Sequence, residues 1–208
     1  DRIVTYSNHD KIFGVKTIKI INGIKCANIP VVNNKICKTK IINLIAVANF
    51  SFWHGYERII RGLNNYYLKD SVYYEVNLHL CGDGLEIDKY KTLVNKYNLE
   101  KHVFFHGFLS EKYLDEVYDE CCIGVSSLGG HRKNLYLSSE LKSREYLARG
   151  LPIISSIKID CIPEHFEYCM YVPEDESNID INKIIEFYEK IYLKSNKLNV
   201  NMIIRDFA

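Results

Sequence analysis

Residues 126–156 read SSLGGHRKNLYLSSELKSREYLARGLPIISS, and the side chains able to do chemistry gather there. A glycine pair leads into a basic triplet, His131, Arg132 and Lys133, then a polar loop, then a helical spacing that holds Lys142 and Glu145. Ser138 and Ser139 are residue types that cap helices, and the pattern through Leu141, Tyr146, Leu147 and Ala148 predicts about two and a half turns closed by Gly150. The unpaired N–H groups of such a helix start favour a phosphate, and Arg132 and Lys133 would add positive charge from the preceding loop. Glu145, about one turn further in, suits neutral hydroxyls such as a ribose diol. An ordinary solvated helix surface accounts for the same residues: Glu145 with Arg149 is an i,i+4 pair, and Lys142 with Glu145 an i,i+3 pair. Spacing alone does not choose between the two.

Apolar runs must hold this stretch in place. Ile123, Gly124 and Val125 precede it, and Leu151 to Ile154 close it, so the unit reads strand, loop, helix, strand, with a ligand expected beyond the strand ends. Upstream, 41–47 is a continuous apolar strand, and Tyr56, Ile59, Ile60, Leu63 and Tyr67 mark one helix face. The alternation repeats with a strand at 76–81, a helix face of Ile87, Tyr90, Leu93, Val94 and Tyr97, a strand at 103–105, and a helix face of Tyr113, Leu114, Val117 and Tyr118. The fold class that follows is α/β, a doubly wound Rossmann-like parallel sheet with helices on both faces. Near the start, 3–7 and 17–23 read as two further strands, with Asn22-Gly23 an ordinary turn signal. Near the end, Ile184, Ile185, Tyr188, Ile191 and Tyr192 predict a helix, and a second begins near Met202.

Composition narrows the functional classes. The 208 residues are 47% hydrophobic with a formal net charge of +1, which suits a packed chain of about one domain and gives no basic stripe for nucleic acid. No apolar run approaches the ~18 residues of a membrane-spanning helix, and the start lacks the form of a signal peptide. Seven cysteines without regular spacing read as reduced, mostly buried thiols in the cytoplasm. His102 and His106 lie about 13 Å apart on a strand, too far to chelate one ion. Cys81-Gly82-Asp83-Gly84 lacks the third glycine of a dinucleotide fingerprint, so a tight strand-to-helix turn explains it. Trp53 reads as a packing residue, and Glu174-Asp175-Glu176 as a solvated loop or helix start.

The run Leu141-Lys142-Ser143-Arg144-Glu145-Tyr146-Leu147-Ala148-Arg149-Gly150-Leu151-Pro152 resembles the donor-site helix of the group 1 (family 4) retaining GT-B glycosyltransferases, typically E-A-M-A-x-G-x-P-V-I. Residues 46–58, with Trp53-His54-Gly55-Tyr56 in place of the commoner K-G, are similar to the first strand, loop and helix of the same domain. Cys81-Gly82-Asp83-Gly84 and 103–108 complete four landmarks in order. The resemblance spans nearly the whole chain, its specificity lying in the ordered set. It implies the C-terminal, donor-binding domain of an enzyme transferring a hexose-type sugar from a nucleotide-sugar to a polysaccharide or lipid-linked glycan, as in capsule or lipopolysaccharide synthesis. Residues 1–40 would be the end of an N-terminal domain and the crossing from it, and 41–208 the nucleotide-sugar-binding domain with a truncated last helix. The acceptor would bind through the missing domain, and the fragment alone would bind nucleotide weakly and turn over nothing. No metal or other cofactor is implied. The location would be cytoplasmic, or peripheral at the inner face of the membrane.

Carried over residue by residue, the resemblance points to His54, Gly55, Gly82, Gly84, Gly107, Phe108, Leu109, Ser139, Glu140, Leu141, Lys142 and Glu145 as donor contacts, with the backbone of Phe108 and Leu109 at the base. Lys142 and Glu145 are the foremost candidates to contribute to catalysis. Two departures stand out. The family's first glutamate, eight residues before Glu145, is Leu137 here, with Glu140 as a substitute. The loop ahead of Gly55 lacks the usual diphosphate-binding charges; His131, Arg132 and Lys133 would supply them. A nucleotide-sugar epimerase of GT-B architecture and a non-catalytic nucleotide-binding or scaffold module remain alternatives.

Overall fold

The computed structural model describes residues 1–6, 9–32, 40–69, 71–194 and 199–208. Near the start, β1 (Ile3–Thr5) runs parallel to β3 (Val15–Lys19), and β2 (Lys11–Ile12) pairs antiparallel with β3, forming a small sheet of its own. Only two strands were expected here. The hairpin between β2 and β3 turns on Phe13 and Gly14, both at positive φ, and a two-residue strand carries too little alternation to be seen in the sequence. The expected strand residue Ser7 lies outside the described residues.

The main sheet is built from short apolar runs, and its inner strands are buried on both faces while the two edge strands are partly exposed. Its strands are β4 (Ile41–Val47), β5 (Glu75–Cys81), β6 (Val103–Gly107), β7 (Ile123–Val125), β9 (Ile153–Ser155) and β11 (Cys169–Tyr171), all parallel, in the order β11-β9-β7-β4-β5-β6. Separately, β8 (Leu137–Ser138) pairs with β10 (Lys158–Ile159). The chain winds outward from β4 through β5 to β6, then returns to β7 on the other side of β4. That reversal opens a crevice beyond the carboxyl ends of β4 and β7. The sheet matches the doubly wound arrangement expected from the apolar pattern.

Helices follow the predicted faces, except that Tyr113, expected on the face with Leu114, Val117 and Tyr118, is exposed. They are α1 (Glu57–Tyr67), α2 (Ile87–Lys96), α3 (Glu111–Asp119), α4 (Leu141–Ala148), α5 (Ile181–Tyr188), continued as a π-helical turn over Glu189–Leu193, and α6 (Val200–Arg205). Ile59, Ile60 and Leu63 of α1 are fully buried, each contributing roughly 1.5–3 kcal/mol of apolar burial. Asp180 caps α5 by accepting from the Asn182 backbone N–H at 3.0 Å. Among the described residues, no helix is long and apolar enough to cross a membrane.

Polar residues interrupt one face at the β5–β6 side. His102, just ahead of β6, pairs with Asn77 at 3.0 Å, while His79 Nδ1 lies 3.0 Å from His106 Nε2 with the rings stacked, so the two histidines serve different partners. His79 is buried and its Nε2 has no partner among the described residues. Burial, reinforced by the neighbouring His106, pushes its pKa down to about 4. The unfolded chain therefore binds the proton more readily, and stability falls as pH drops from the unfolded value near 6.5 to the folded one. His79 alone should remove on the order of 3 kcal/mol over that window. Urea unfolding at stepped pH checks this: the acid loss should be clearly shallower in His79→Gln, and an unchanged slope would contradict it.

Candidate functional site

Two loops form the walls of the crevice. The loop after β4 makes a 3-10 turn over Phe52–His54 and ends at Gly55 in the left-handed region (φ +65°). A Cβ at Gly55 would lie 2.8 Å from the backbone N of Gly129, so glycine is required by both conformation and space. The loop after β7 meets it through Leu128 N–H to His54 O at 2.8 Å and Gly129 N–H to Trp53 O at 3.2 Å. A second Gly-dependent approach lies beside it: a Cβ on Gly82 would collide with the carbonyl oxygen of Ala48. Gly84 is likewise pressed on the Phe50 backbone. This bears out the tight-turn reading of Cys81 to Gly84.

The start of α4 faces these loops. Its N-cap is Glu140, not Ser138 or Ser139, and among the described residues no side chain closes the cap. Ser138 is drawn into β8, and Ser139 Oγ accepts from the Asn22 N–H at 2.9 Å. Glu140 instead turns inward, accepting from Ser126 Oγ at 2.6 Å and Ser127 Oγ at 2.5 Å. Lys142 Nζ donates to Ser127 Oγ at 3.2 Å and Tyr56 OH at 3.3 Å and stands 3.7 Å from Glu140 Oε2. The expected Lys142–Glu145 helix pair does not form, because the buried carboxylate and hydroxyls outcompete a solvent-facing partner.

Burial sets the protonation chemistry. Desolvation lowers the Lys142 pKa from its ordinary value, and the nearby Glu140 only partly restores it. For Glu140, desolvation pushes the pKa up, but Lys142 and the two serine hydrogen bonds outweigh it, and the carboxylate titrates below its usual range. His54 is buried, and burial with the adjacent Lys142 drives it down to about 3. Its Nδ1 accepts from the Ser51 N–H at 2.9 Å, so the neutral ring carries its proton on Nε2. The ring stacks on Tyr56 with centroids 5.6 Å apart. His54 is thus a neutral hydrogen-bond donor, and the positive charge belongs to Lys142.

The basic triplet has other duties. Arg132 is paired with Glu57 at 2.7 Å and with Glu176 at 2.5 Å, and His131 Nε2 lies 2.7 Å from Glu176. The Arg132 pairing holds Glu176 down to about 2. Lys133 is exposed, with Nζ 3.9 Å from the centroid of the Trp53 ring, which lies edge-on to Phe52. Arg132 therefore fastens the loop after β7 to α1 and to the 174–176 loop, and its charge is spent there. The acidic run is correspondingly not merely solvated: Asp175 lies 3.4 Å from Arg58, and Glu176 is tied to Arg132.

Glu145 and Arg149 do pair, at 3.1 Å, but on no solvated face: Arg149 is buried, reaching Asp115 of α3 at 2.7 Å. Beside α3, a cleft of about 260 Å³ is lined by Val47, Ala48, Gly82, Phe108, Leu109 and Leu114 among others. Gly107 stands at positive φ ahead of the exposed Phe108. The structure thus brings Glu140 and Lys142 together with His54, next to Gly55, sets Phe108, Leu109 and Gly82 around the neighbouring cleft, and leaves Leu141 exposed at the start of α4 and Leu137 exposed in β8. Sequence reading missed Ser126, Ser127 and Tyr56. A serine pair directly after a buried strand was the available signal. Among the described residues, no cluster of three or more His, Cys, Asp or Glu side chains is placed to hold a metal ion.

Residues 33–129 match the family model described as Glycosyl transferases group 1, which bears out the resemblance over that part of the chain. No curated protein matches the chain. Among solved structures, the fold is similar to a glycosyltransferase from Rickettsia africae (16% identity, TM-score 0.68, covering 96% of this chain and 54% of that one). Sucrose-phosphate synthase from Thermosynechococcus elongatus is 20% identical with a TM-score of 0.65, covering 93% and 48%. Anabaena HepE, in complex with UDP and glucose, is 16% identical with a TM-score of 0.63, covering 92% and 52%. The chain spans about half the length of these proteins, and the fold it shares with them is the GT-B type.

Replacing Arg132 should expose its structural role. Arg132→Ala leaves the buried Glu57 with Lys89 as its remaining cation, and is expected to cost about 2 kcal/mol. Adding Glu57→Gln should recover a substantial part of that loss in chemical denaturation; equal or greater loss in the double variant would refute the pairing.

Proposed function

We propose that this chain is the donor-binding part of a retaining glycosyltransferase that moves a hexose from a nucleotide-sugar to a polysaccharide or lipid-linked glycan. Residues 41–208 are read as the donor-binding unit and 1–40 as the crossing into it. The observation that carries the proposal is the Lys142–Glu140 pair at the uncapped start of α4, facing His54 where the sheet reverses its winding. A desolvated ammonium with Glu140 as its one nearby carboxylate among the described residues gains from a second anion, and a diphosphate offers one. The α4 N–H groups and His54 Nε2–H add donors without adding charge. As the sugar departs, negative charge grows on the nucleoside diphosphate, and these preformed groups stabilise it more in the transition state than in the ground state. Glu145, held by Arg149, is read as the ribose partner, and the cleft at Phe108 and Leu109 as the base site. The complex of Anabaena HepE with UDP and glucose supports a nucleotide-sugar as ligand class.

A second reading, a nucleotide-binding module without transfer activity, is favoured by Leu137 at the position of the family's first glutamate. Calorimetric titration with UDP, GDP, ADP and their sugar conjugates tests both. One nucleotide should bind selectively, and Lys142→Ala should weaken it at least tenfold, about 1.4 kcal/mol. Arg132→Ala should change affinity little in the folded protein. Because the charged lysine is required and its pKa lies below the ordinary value, affinity should fall as pH rises through that depressed pKa. Absence of binding at millimolar nucleotide would overturn the proposal. Selective binding without sugar release or transfer by any complete form of the protein would favour the module.

A further inference from the structure

The Asn22-Gly23 pair is not the turn its composition suggests. Gly23 is not among the residues at positive φ, and Asn22 bonds across the fold instead of to its own neighbours. Its backbone N–H donates to Ser139 Oγ at 2.9 Å, and its Nδ2 donates to Ser139 O at 2.6 Å. Its carbonyl accepts from Arg144 Nε at 2.6 Å, and its Oδ1 accepts from Tyr6 OH at 3.0 Å. All four polar groups of one residue are engaged, three of them with α4 or the residue two positions ahead of it.

The contact belongs to a longer strap. Arg144 is buried and its other arm reaches Asp160 at 2.8 Å, so the Asn22 carbonyl meets a fixed donor. At the far end of α4, Val32 N–H donates to Arg149 O at 3.0 Å. Arg205 of α6 donates to Ile29 O, Ala148 O and Cys26 O, each at 2.7 Å, joining segment 22–32 to the last turn of the helix. Residues 22–32 therefore run beside α4 and hold it at both ends.

We propose that Asn22 is a positioning residue for the α4 site: it fixes the backbone at Ser139 from which Glu140 and Lys142 project, and ties that backbone to the β1–β3 sheet through Tyr6. The proposal rests on the reading of α4 as the donor-binding helix. Ser139 adjoins the N-cap Glu140, so a displacement at Asn22 acts first on the uncapped N–H groups and on the buried ion pair. The β1–β3 sheet and the site then move as one mechanical unit. An ångström of misplacement in such a site is enough to change binding or rate by orders of magnitude.

The test uses the chain as it stands, with UDP, GDP and ADP as probes. Asn22→Ala should fold and weaken the preferred nucleotide about five- to twentyfold. In the Lys142→Ala background, the same change should cost little further affinity, because both act through the start of α4; a general loss of stability would instead add in full. Unchanged affinity in Asn22→Ala, or full additivity, overturns the proposal. If the parent chain binds no nucleotide, the donor reading fails, and hydrogen exchange still reads the strap. Asn22→Ala should then speed exchange of the amides at 140–143 at least tenfold relative to those of β4 and β5, and equal protection overturns it.

Discussion

A lysine ammonium removed from water must be compensated locally, and at Lys142 the nearby carboxylate is Glu140. Much of the surrounding architecture can be traced to that requirement. Ser126 and Ser127 directly follow β7 with hydroxyls aimed at the same carboxylate, so the loop leaving the strand that closes the crevice also anchors the ion pair. Tyr56 lies beneath, bonding both Lys142 and the Val125 carbonyl, and carries His54 stacked on its ring. Strand β7, helix α4 and the loop after β4 converge on a few buried polar atoms. Fully partnered, such a network rigidifies a site; with one member missing, it leaves a buried charge exposed to no solvent.

Charge placement around this centre follows a division of labour. Arg132 is the stronger cation in isolation, yet it is neutralised by Glu57 and Glu176 and acts as a fastener between loop and helix. Lys142 is only partly neutralised, and it stands where the helix dipole also favours an anion. A reading by charge alone would choose the basic triplet, while a reading by residual charge chooses Lys142. His54 adds direction without charge, because its Nδ1 is committed to Ser51.

The fold was legible in detail where burial is two-sided. Strand β4 coincides with the apolar run 41–47, and α1 and α2 present the faces that their spacing predicts, whereas α3 turns Tyr113 of its expected face out to solvent. The helix at 141–148 was also foreseen, and its closing Gly150 stands at φ +76° as a C-terminal glycine should. Its cap was not, since Ser138 and Ser139 have the right chemistry but are claimed by β8 and by Asn22. The hairpin at Phe13-Gly14 escaped because strands this short leave no periodic trace.

The sequence by itself determined the alternation of elements, the glycines that permit close backbone approach, and the residue types from which an anion site could be built. Those are properties of local pattern and of side-chain chemistry, which need no partner to be defined. Only the tertiary structure decided which cation keeps residual charge, which carboxylate faces inward, and which residue grips the helix start. Each of those depends on distances between segments that lie up to 122 residues apart, as for Asn22 and Arg144. Desolvation and pairing energies change steeply over a few ångströms, and no one-dimensional spacing encodes them.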